Sequence, residues 1–241
     1  MPVREHDAAG ESWRREKLPA GSVAYVTAVH GFQTDALRLA AFARPCDWER
    51  VCDLGTGCGS IPLLWFDQGL CPQVDGVDIQ PEAIRLAAAS ARENGWEDRF
   101  RLFNEDWRQC SLPPGIYDRV ICNPPYFAAG TGEISRSRDR GLARHEDPRE
   151  GMAGWMAVSA RLLKVRGRLC VCHRPERLVD LLAALRGAGL EPKRIRWVQR
   201  RADTPPWLLL CEARKEGRPG LRTEPVWIED VVEEERVCPD N

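Results

Sequence analysis

The chain has 241 residues, 29% of them charged, yet a formal net charge of only −1; that suits one large α/β domain or two small ones, and it excludes nucleic-acid recognition by overall charge, leaving only local basic patches. No secretory signal opens the sequence and no apolar run approaches the roughly 20 residues of a membrane span. The ten cysteines include no Cys-x-x-Cys pair, so reduced, buried thiols in a cytoplasmic protein are expected, with no zinc site and no membrane partner.

Residues 1–22 are charged, aperiodic and punctuated by glycine and proline, which predicts a flexible or loosely docked arm. Val23 to Val29 alternates weakly as a short strand. His30-Gly-Phe-Gln-Thr-Asp35 leads into an apolar helix from Ala36 to Ala43. Thr34 or Asp35 suits its cap, because a short oxygen side chain satisfies the first free N–H groups. Val51-Cys-Asp-Leu-Gly-Thr-Gly-Cys-Gly59 then opens as a buried strand, breaks into Gly55, Gly57 and Gly59, and continues as the helix-compatible run Ile61 to Phe66. Strand, glycine turn and helix make the first crossover of a parallel α/β sheet. The spacing is Gly-x-Gly-x-Gly, not the dinucleotide pattern Gly-x-Gly-x-x-Gly. Asp53 ahead of it suits a ligand with an ammonium or other cationic group. The stretch resembles the S-adenosylmethionine (SAM) loop of class I methyltransferases. That resemblance implies SAM held by Asp53, Gly55, Gly57 and Gly59, with Thr34 lining its amino-acid end and S-adenosylhomocysteine as the product.

Gln73-Val-Asp-Gly-Val-Asp78 is a second strand ending in a carboxylate, and Pro81 opens a helix that Gly95 stops. Asp78, about 20 residues past the glycine loop, is placed to accept both hydroxyls of a ribose; Asp75 points elsewhere. Arg99 to Phe103 is a third strand, ending in Asn104-Glu-Asp-Trp107, where an acid serves either as the cap of a short helix or as a ligand contact. Ile116 to Cys122 is a fourth strand running into Asn123-Pro-Pro-Tyr126. From Phe127 to about Glu150 there is no periodicity, and Arg136, Arg138, Arg140 and Arg144 crowd a loop of functional length. Trp155, Met156, Leu162 and Leu163 mark a helix, Gly167 to Cys172 a fifth strand, and Pro175 opens the next helix. Pro192 to Gln199 and Trp207 to Glu212 have no helix between them, which predicts an antiparallel hairpin at one edge. The acidic tail, residues 217–241, is expected to be irregular. The whole predicts an α/β fold, the Rossmann-like class I methyltransferase sheet: seven mostly parallel strands, one antiparallel edge strand, helices on both faces, and a single domain over 23–216.

Asn123-Pro-Pro-Tyr126 sits where the fourth strand ends, on the sheet edge where open α/β folds bind ligands. Two prolines fix φ, remove two donors and extend Asn123, leaving a stiff rim of acceptors. Methylating the amine of adenine needs such a rim. The Asn123 side-chain oxygen and the Pro124 carbonyl accept one N–H each, pull the nitrogen towards tetrahedral geometry and stabilise the charge that develops. Tyr126 offers a ring face to a splayed base.

From about residue 30 to 215 the chain resembles class I SAM-dependent methyltransferases with an Asn-Pro-Pro-Tyr motif. It is similar in particular to the tRNA adenine-N6 methyltransferases that modify adenosine 37, 3′ to the anticodon of a valine tRNA. Gly31-Phe-Gln-Thr-Asp35, Ala143-Arg-His-Glu146, His173-Arg-Pro-Glu-Arg177 and Pro192-Lys-Arg194 carry the closer likeness. The resemblance implies catalysis by Asn123, Pro124 and Tyr126, with Asp106 accepting from the cofactor's adenine amine beside a Trp107 wall. It further implies a tRNA anticodon loop as partner; the oligomeric state stays open, a monomer being favoured. Pro125 and Phe127 would meet the base. Arg136, Arg138, Arg140, Arg144, Lys193 and Arg194 form a phosphate-binding rim on this reading, or merely a solvated face. Three other readings stay open: N5-methylation of a protein glutamine, as in a release factor; N2-methylation of a guanine in RNA, whose enzymes tend to carry Phe in place of Tyr126; and a SAM-binding scaffold without catalysis.

Overall fold

The computed structural model describes residues 5–6, 12–124 and 148–229. A small antiparallel sheet comes first, of β1 (Glu5–His6), β2 (Ser12–Lys17) and β3 (Val23–Val26). The main body alternates α1 (Thr34–Ala43), β4 (Arg50–Leu54), α2 (Ser60–Asp67), β5 (Gln73–Asp78), α3 (Pro81–Glu93), β6 (Phe100–Asn104) and β7 (Tyr117–Cys122). It continues through α4 (Pro148–Leu162), β8 (Leu163–His173), α5 (Leu178–Gly187), β9 (Leu190–Gln199) and β10 (Leu208–Lys215). Seven of these strands order as β9-β10-β8-β7-β4-β5-β6, and the two-residue β11 (Arg222–Thr223) and β12 (Trp227–Ile228) add to β9, making nine.

The middle strands are buried from both sides, so β4 and β7 are buried almost without interruption rather than at alternate residues, Asp53 and Arg119 included. Helices α1, α2 and α3 cover one face, with Leu39, Phe42, Leu63, Trp65 and Phe66 in its core; α4 and α5 cover the other with Met156, Leu162, Leu181 and Leu185. In α3, Ala83, Leu86, Ala87 and Ala91 form the buried stripe, Pro81 opens the first turn, and Gly95 at φ 72° ends it. No helix among the described residues is long and apolar enough to cross a membrane.

Three expectations are corrected. The antiparallel strand is not the edge: β10 runs antiparallel to both β8 and β9 and lies between them. Its run Leu208-Leu-Leu-Cys211 is wholly buried and needs neighbours on both sides, whereas β9, buried only at intervals, tolerates the outer position. Residues 12–22 are not a loose arm. They form a hairpin with β3, and Asp67 accepts from the Ala20 and Ser22 amides while Ser90 and Asn94 of the α3 end hold Tyr25 and Val23. From Gly217 to Glu229 the chain is irregular apart from β11 and β12, and the Glu229 carboxylate takes Arg38 Nε at 3.0 Å. Neither Thr34 nor Asp35 caps α1 as expected: the cap position is Gln33 and makes no side-chain bond, while Asp35 accepts from the adjacent Ala36 amide.

One carboxylate staples four strands. Asp75 on β5 accepts from Tyr117 Oη at 2.6 Å, from Arg101 Nε and Nη2 at 2.6 Å, and from Arg50 Nη2 at 3.2 Å. Burial alone would raise its pKa, but the hydrogen bonds from Arg101 and Tyr117 outweigh it and the group sits below the usual carboxylate range. A lowered carboxyl pKa stabilises the fold above the unfolded value, and the gain is lost as pH falls through the folded value. Both arginines are partly exposed and screened. Asp75→Asn is therefore expected to cost about 1–2 kcal/mol in urea unfolding at pH 7. The difference from wild type should shrink as the pH is lowered; a cost that stays constant would rule out the ionic part.

Candidate active site at the carboxyl edge of the sheet

Strand register brings the predicted residues into one row. Leu54 pairs with Cys122 on one side and Val77 on the other, and Asp78 pairs with Asn104. Gly55, Asn123, Asp78 and Asn104 therefore top four adjacent parallel strands. This is the edge at which parallel α/β sheets bind ligands.

The turn after β4 needs its glycines. Gly57 and Gly59 have φ of 56° and 81°, the left-handed region that L side chains rarely adopt. A Cβ on Gly59 would lie 2.9 Å from the Phe100 ring, whereas one on Gly57 would point into open space. The backbone at Gly57 is thus bare towards the pocket side while Gly59 seals α2 against β6. Gly55 also has positive φ, and Trp155 of α4 closes beneath it, 3.1 Å from where its Cβ would stand.

Two buried acids flank the turn. Asp53, 2% exposed, accepts from Thr56 Oγ1 at 2.8 Å. Burial pushes its carboxyl up to about 7; the Thr56 hydrogen bond lowers it and the Asp78 charge raises it. Asp78 accepts from the Gly57 amide at 2.8 Å and the Gln80 amide at 2.9 Å. Burial raises it too, moderated by those two amides and by nearby His30. His30, unused in the sequence reading, sits 3.5 Å from Glu82 in the same corner.

Asn123 follows β7, half-buried, with Pro124 buried behind it. Its Oδ1 accepts from the Cys172 thiol of β8 at 2.9 Å, a contact that the sequence reading missed. Pro125, Tyr126, Phe127, Arg136, Arg138, Arg140 and Arg144 lie outside the described residues.

The remaining candidates divide. Thr34 is exposed at the first turn of α1. Asp106 caps the single 3₁₀ turn Trp107–Gln109 by accepting from the Arg108 amide, and also takes Arg108 Nε. Trp107 stacks on Trp155 with ring centroids 4.1 Å apart, so one of its faces is committed to packing. Arg194 is not a rim cation. It pairs with Cys170 through Glu212, well below the carboxyl edge, and its guanidinium donates to Glu212, Glu224 and the Phe42 carbonyl. It belongs to a buried charge cluster with Arg119 and Glu49. Lys193 donates to the Arg218 carbonyl on the same outer strand. Both stand in the amino-terminal half of β9, away from the carboxyl edge. Among the described residues, no cluster of His, Cys, Asp or Glu is arranged to hold a metal ion.

With that geometry in view, comparison places the chain. The methyltransferase small domain family model matches residues 35–137. A tRNA1(Val) (adenine(37)-N6)-methyltransferase of Tolumonas auensis is 30% identical over 186 residues, covering 76% of this chain and 76% of that one. A Vibrio campbellii protein of the same name is 34% identical over 114 residues, 47% of this chain and 46% of that one. The chain thus spans about half the length of the first curated relatives it matches. Among solved structures, a predicted O-methyltransferase from Agrobacterium tumefaciens superposes with a TM-score of 0.65 at 20% identity, over 86% of this chain and 92% of that one. That likeness shows the fold, the class I methyltransferase sheet anticipated from the alternating elements. The identity and coverage shared with the Tolumonas protein show more: the chain belongs to the tRNA1(Val) (adenine(37)-N6)-methyltransferase family.

Proposed function

We propose that this protein methylates N6 of an adenine in tRNA, adenosine 37 beside the anticodon, with SAM as donor. The observation that carries the reading is the level placement of Asn123 and the glycine turn on adjacent strands β7 and β4. The name and coverage of the Tolumonas relative support the substrate.

The residues fit the cofactor. The bare backbone at Gly57 gives a close approach that a side chain would block. Asp53 provides an anionic group for an ammonium, and Asp78 carries carboxylate oxygens at the tip of β5 for hydroxyls. Asp106 and Trp107 stand one strand further along for the adenine end, with Thr34 towards the amino-acid end. When bound, SAM supplies a sulfonium-activated methyl group.

The protein's own task is to present the amine. Adenine N6 is a weak nucleophile because its lone pair is shared with the ring. Asn123 Oδ1 and the Pro124 carbonyl accept its two hydrogens, which holds the nitrogen in line and stabilises its developing positive charge. No base has to act first, since the proton becomes acidic only after transfer. An anticodon loop suits such a rim, because unpaired bases are splayed at low cost.

The test is incubation with methyl-labelled SAM of an unmodified tRNA1(Val) transcript, the same transcript with adenosine 37 replaced by guanosine, and a purified release factor. Label is expected in the first alone. Label in the release factor alone would replace the reading with glutamine N5-methylation, and label in none would leave a SAM-binding scaffold.

A further inference from the structure

We infer that the amino edge of the sheet, where β8 meets β10, is a second RNA contact, taking tRNA phosphates away from the target nucleotide; this rests on the tRNA reading above. The strands build the site. On β7, Tyr117 and Arg119 are two residues apart, yet they pair with Leu163 and Arg168 of β8, five apart. Lys164 to Gly167 therefore stands out of the ladder as a bulge. It is tightly closed: a Cβ on Gly167 would lie 2.9 Å from the Lys164 carbonyl oxygen and 3.1 Å from that of Tyr117. Arg166 in this bulge is exposed and holds φ at 65°. A glycine would take that conformation without strain, so the backbone gives no reason for an arginine there. What the position offers is a cation held out to solvent on a stiff turn.

The neighbouring charges point the same way. Arg168 stands directly opposite Arg214 of β10 and pairs with Arg119 of β7 on its other side. Like charges opposed across a ladder work against the sheet. Arg119 is neutralised by Glu49. Arg166 and Arg168, both exposed, have no acid partner among the described residues. Arg214 and Lys215 donate to the carbonyls of Arg166 and Leu163, which fixes the side chains and leaves their charge uncancelled. Glu191, opposite Arg214 on β9, is held by two donors of Arg186, and Asp118 is held by Lys164. Glu216, just past β10, is the acid left over. The excess of positive charge on a rigid turn and two strand ends is the footprint of a phosphate-backbone site, and a guanidinium fork matches a pair of phosphate oxygens. Register sets its distance from the chemistry. Cys122 pairs with Val171, so Asn123 is level with Cys172. Arg168 and Arg166 lie roughly 13 and 20 Å below that level along the strand. That is beyond a nucleotide seated at Asn123, so the contact falls on RNA further along the chain. Phosphate contacts of this kind position the RNA without reading its sequence.

The experiment uses the full chain and a tRNA1(Val) transcript, with binding read by fluorescence anisotropy across a salt series and methyl transfer measured separately. The variants are Arg166→Gly, Arg168→Gln, the two together, and Arg92→Gln, which removes one exposed cation from α3. Arg166→Gly and Arg168→Gln are each expected to flatten the slope of log affinity against log salt by about one and to raise Kd about fivefold at 0.15 M salt, the double variant showing both losses. The kcat at saturating tRNA and the affinity for SAM should stay at wild-type values. Arg166→Gly should not lower the Tm, because glycine relaxes the left-handed φ. Arg92→Gln should bind tRNA as wild type does. Slopes in the first two variants equal to that of wild type would overturn the inference, as would a loss matched by Arg92→Gln or a wild type without affinity for tRNA. A wild type that binds tRNA but transfers no methyl would overturn the proposed function instead, and the salt slopes would still decide the contact.

Discussion

Asn123→Ala is expected to cripple methyl transfer while SAM still binds. The substitution removes the Asn123 side-chain acceptor and leaves the Pro124 carbonyl to hold the amine. A group aimed at charge that develops only during the reaction stabilises the transition state more than the ground state. By analogy with single oxyanion-hole donors, kcat should fall by about 10²–10³. The KM for tRNA should change far less, because the rest of the RNA contact is untouched. The fold should tolerate the change: Asn123 is only half-buried, and the partner it deprives, the Cys172 thiol, is a donor cheaply left without a bond. The residues proposed for SAM stand on other elements, α1, β4, β5 and the segment after β6, and keep their own side chains in the variant. Single-turnover transfer to tRNA and calorimetric SAM titration separate the two effects. An equal loss of SAM affinity would show that Asn123 serves the architecture of the pocket and not the chemistry.

The parts of this site that were legible in the sequence are those whose demands are local. Gly57 and Gly59 announce a turn because their φ values exclude side chains and because Phe100 fills the space behind Gly59. Asp78 announces itself by standing at the end of a strand, and Asn123 by the two prolines that follow it. Position along a strand converts directly into position on an edge, and that is why Gly55, Asn123 and Asp78 could each be placed at a strand end, while their standing in one row rests on the strand order β7-β4-β5. Other features depend on partners far away in the chain. Arg194 looked like one more cation in a basic run; its Glu212 partner is 18 residues away and its Phe42 partner 152, so its burial is invisible until β9 and β10 are paired. Strand β2 read as part of a flexible or loosely docked arm because Ser12–Lys17 is mostly charged. Its docking rests on Trp13 packing edge-on to Tyr25 at 4.8 Å and on backbone amides held by Asp67, Ser90 and Asn94, and neither leaves a periodic trace. Cys172 was read as a strand residue and nothing more, since a cysteine's polar role shows only when its neighbour across the strands is known.

SAM affinity should depend on pH through Asp53, rising with pH and levelling above neutrality. The group is buried at the end of β4 with one hydroxyl partner, and burial holds its carboxyl at about 7. A carboxylic acid raised this far binds its proton more tightly in the fold than in the unfolded chain. The protein without ligand should therefore lose stability as pH climbs from about 4 to about 7, and stay lower beyond. A cationic ammonium reverses the preference, because it favours the ionised carboxylate. If only that form binds, the apparent Kd is multiplied by one plus the ratio of protonated to ionised Asp53, so affinity should drop about 25-fold between pH 7.5 and pH 5.5. Binding near pH 6.5 should release a proton, visible as a buffer-dependent enthalpy. SAM should also raise the Tm more at pH 7.5 than at pH 5.5. Asp53→Asn removes both the titration and the charge: its affinity should be weak and flat across the same range, while the protein without ligand should gain stability above pH 7, where the wild type carries a buried charge with one hydroxyl to solvate it. A wild-type affinity that is flat with pH, or an asparagine variant that binds SAM as tightly as wild type at pH 7.5, would take Asp53 out of the cofactor site and leave it as the partner of Thr56 alone.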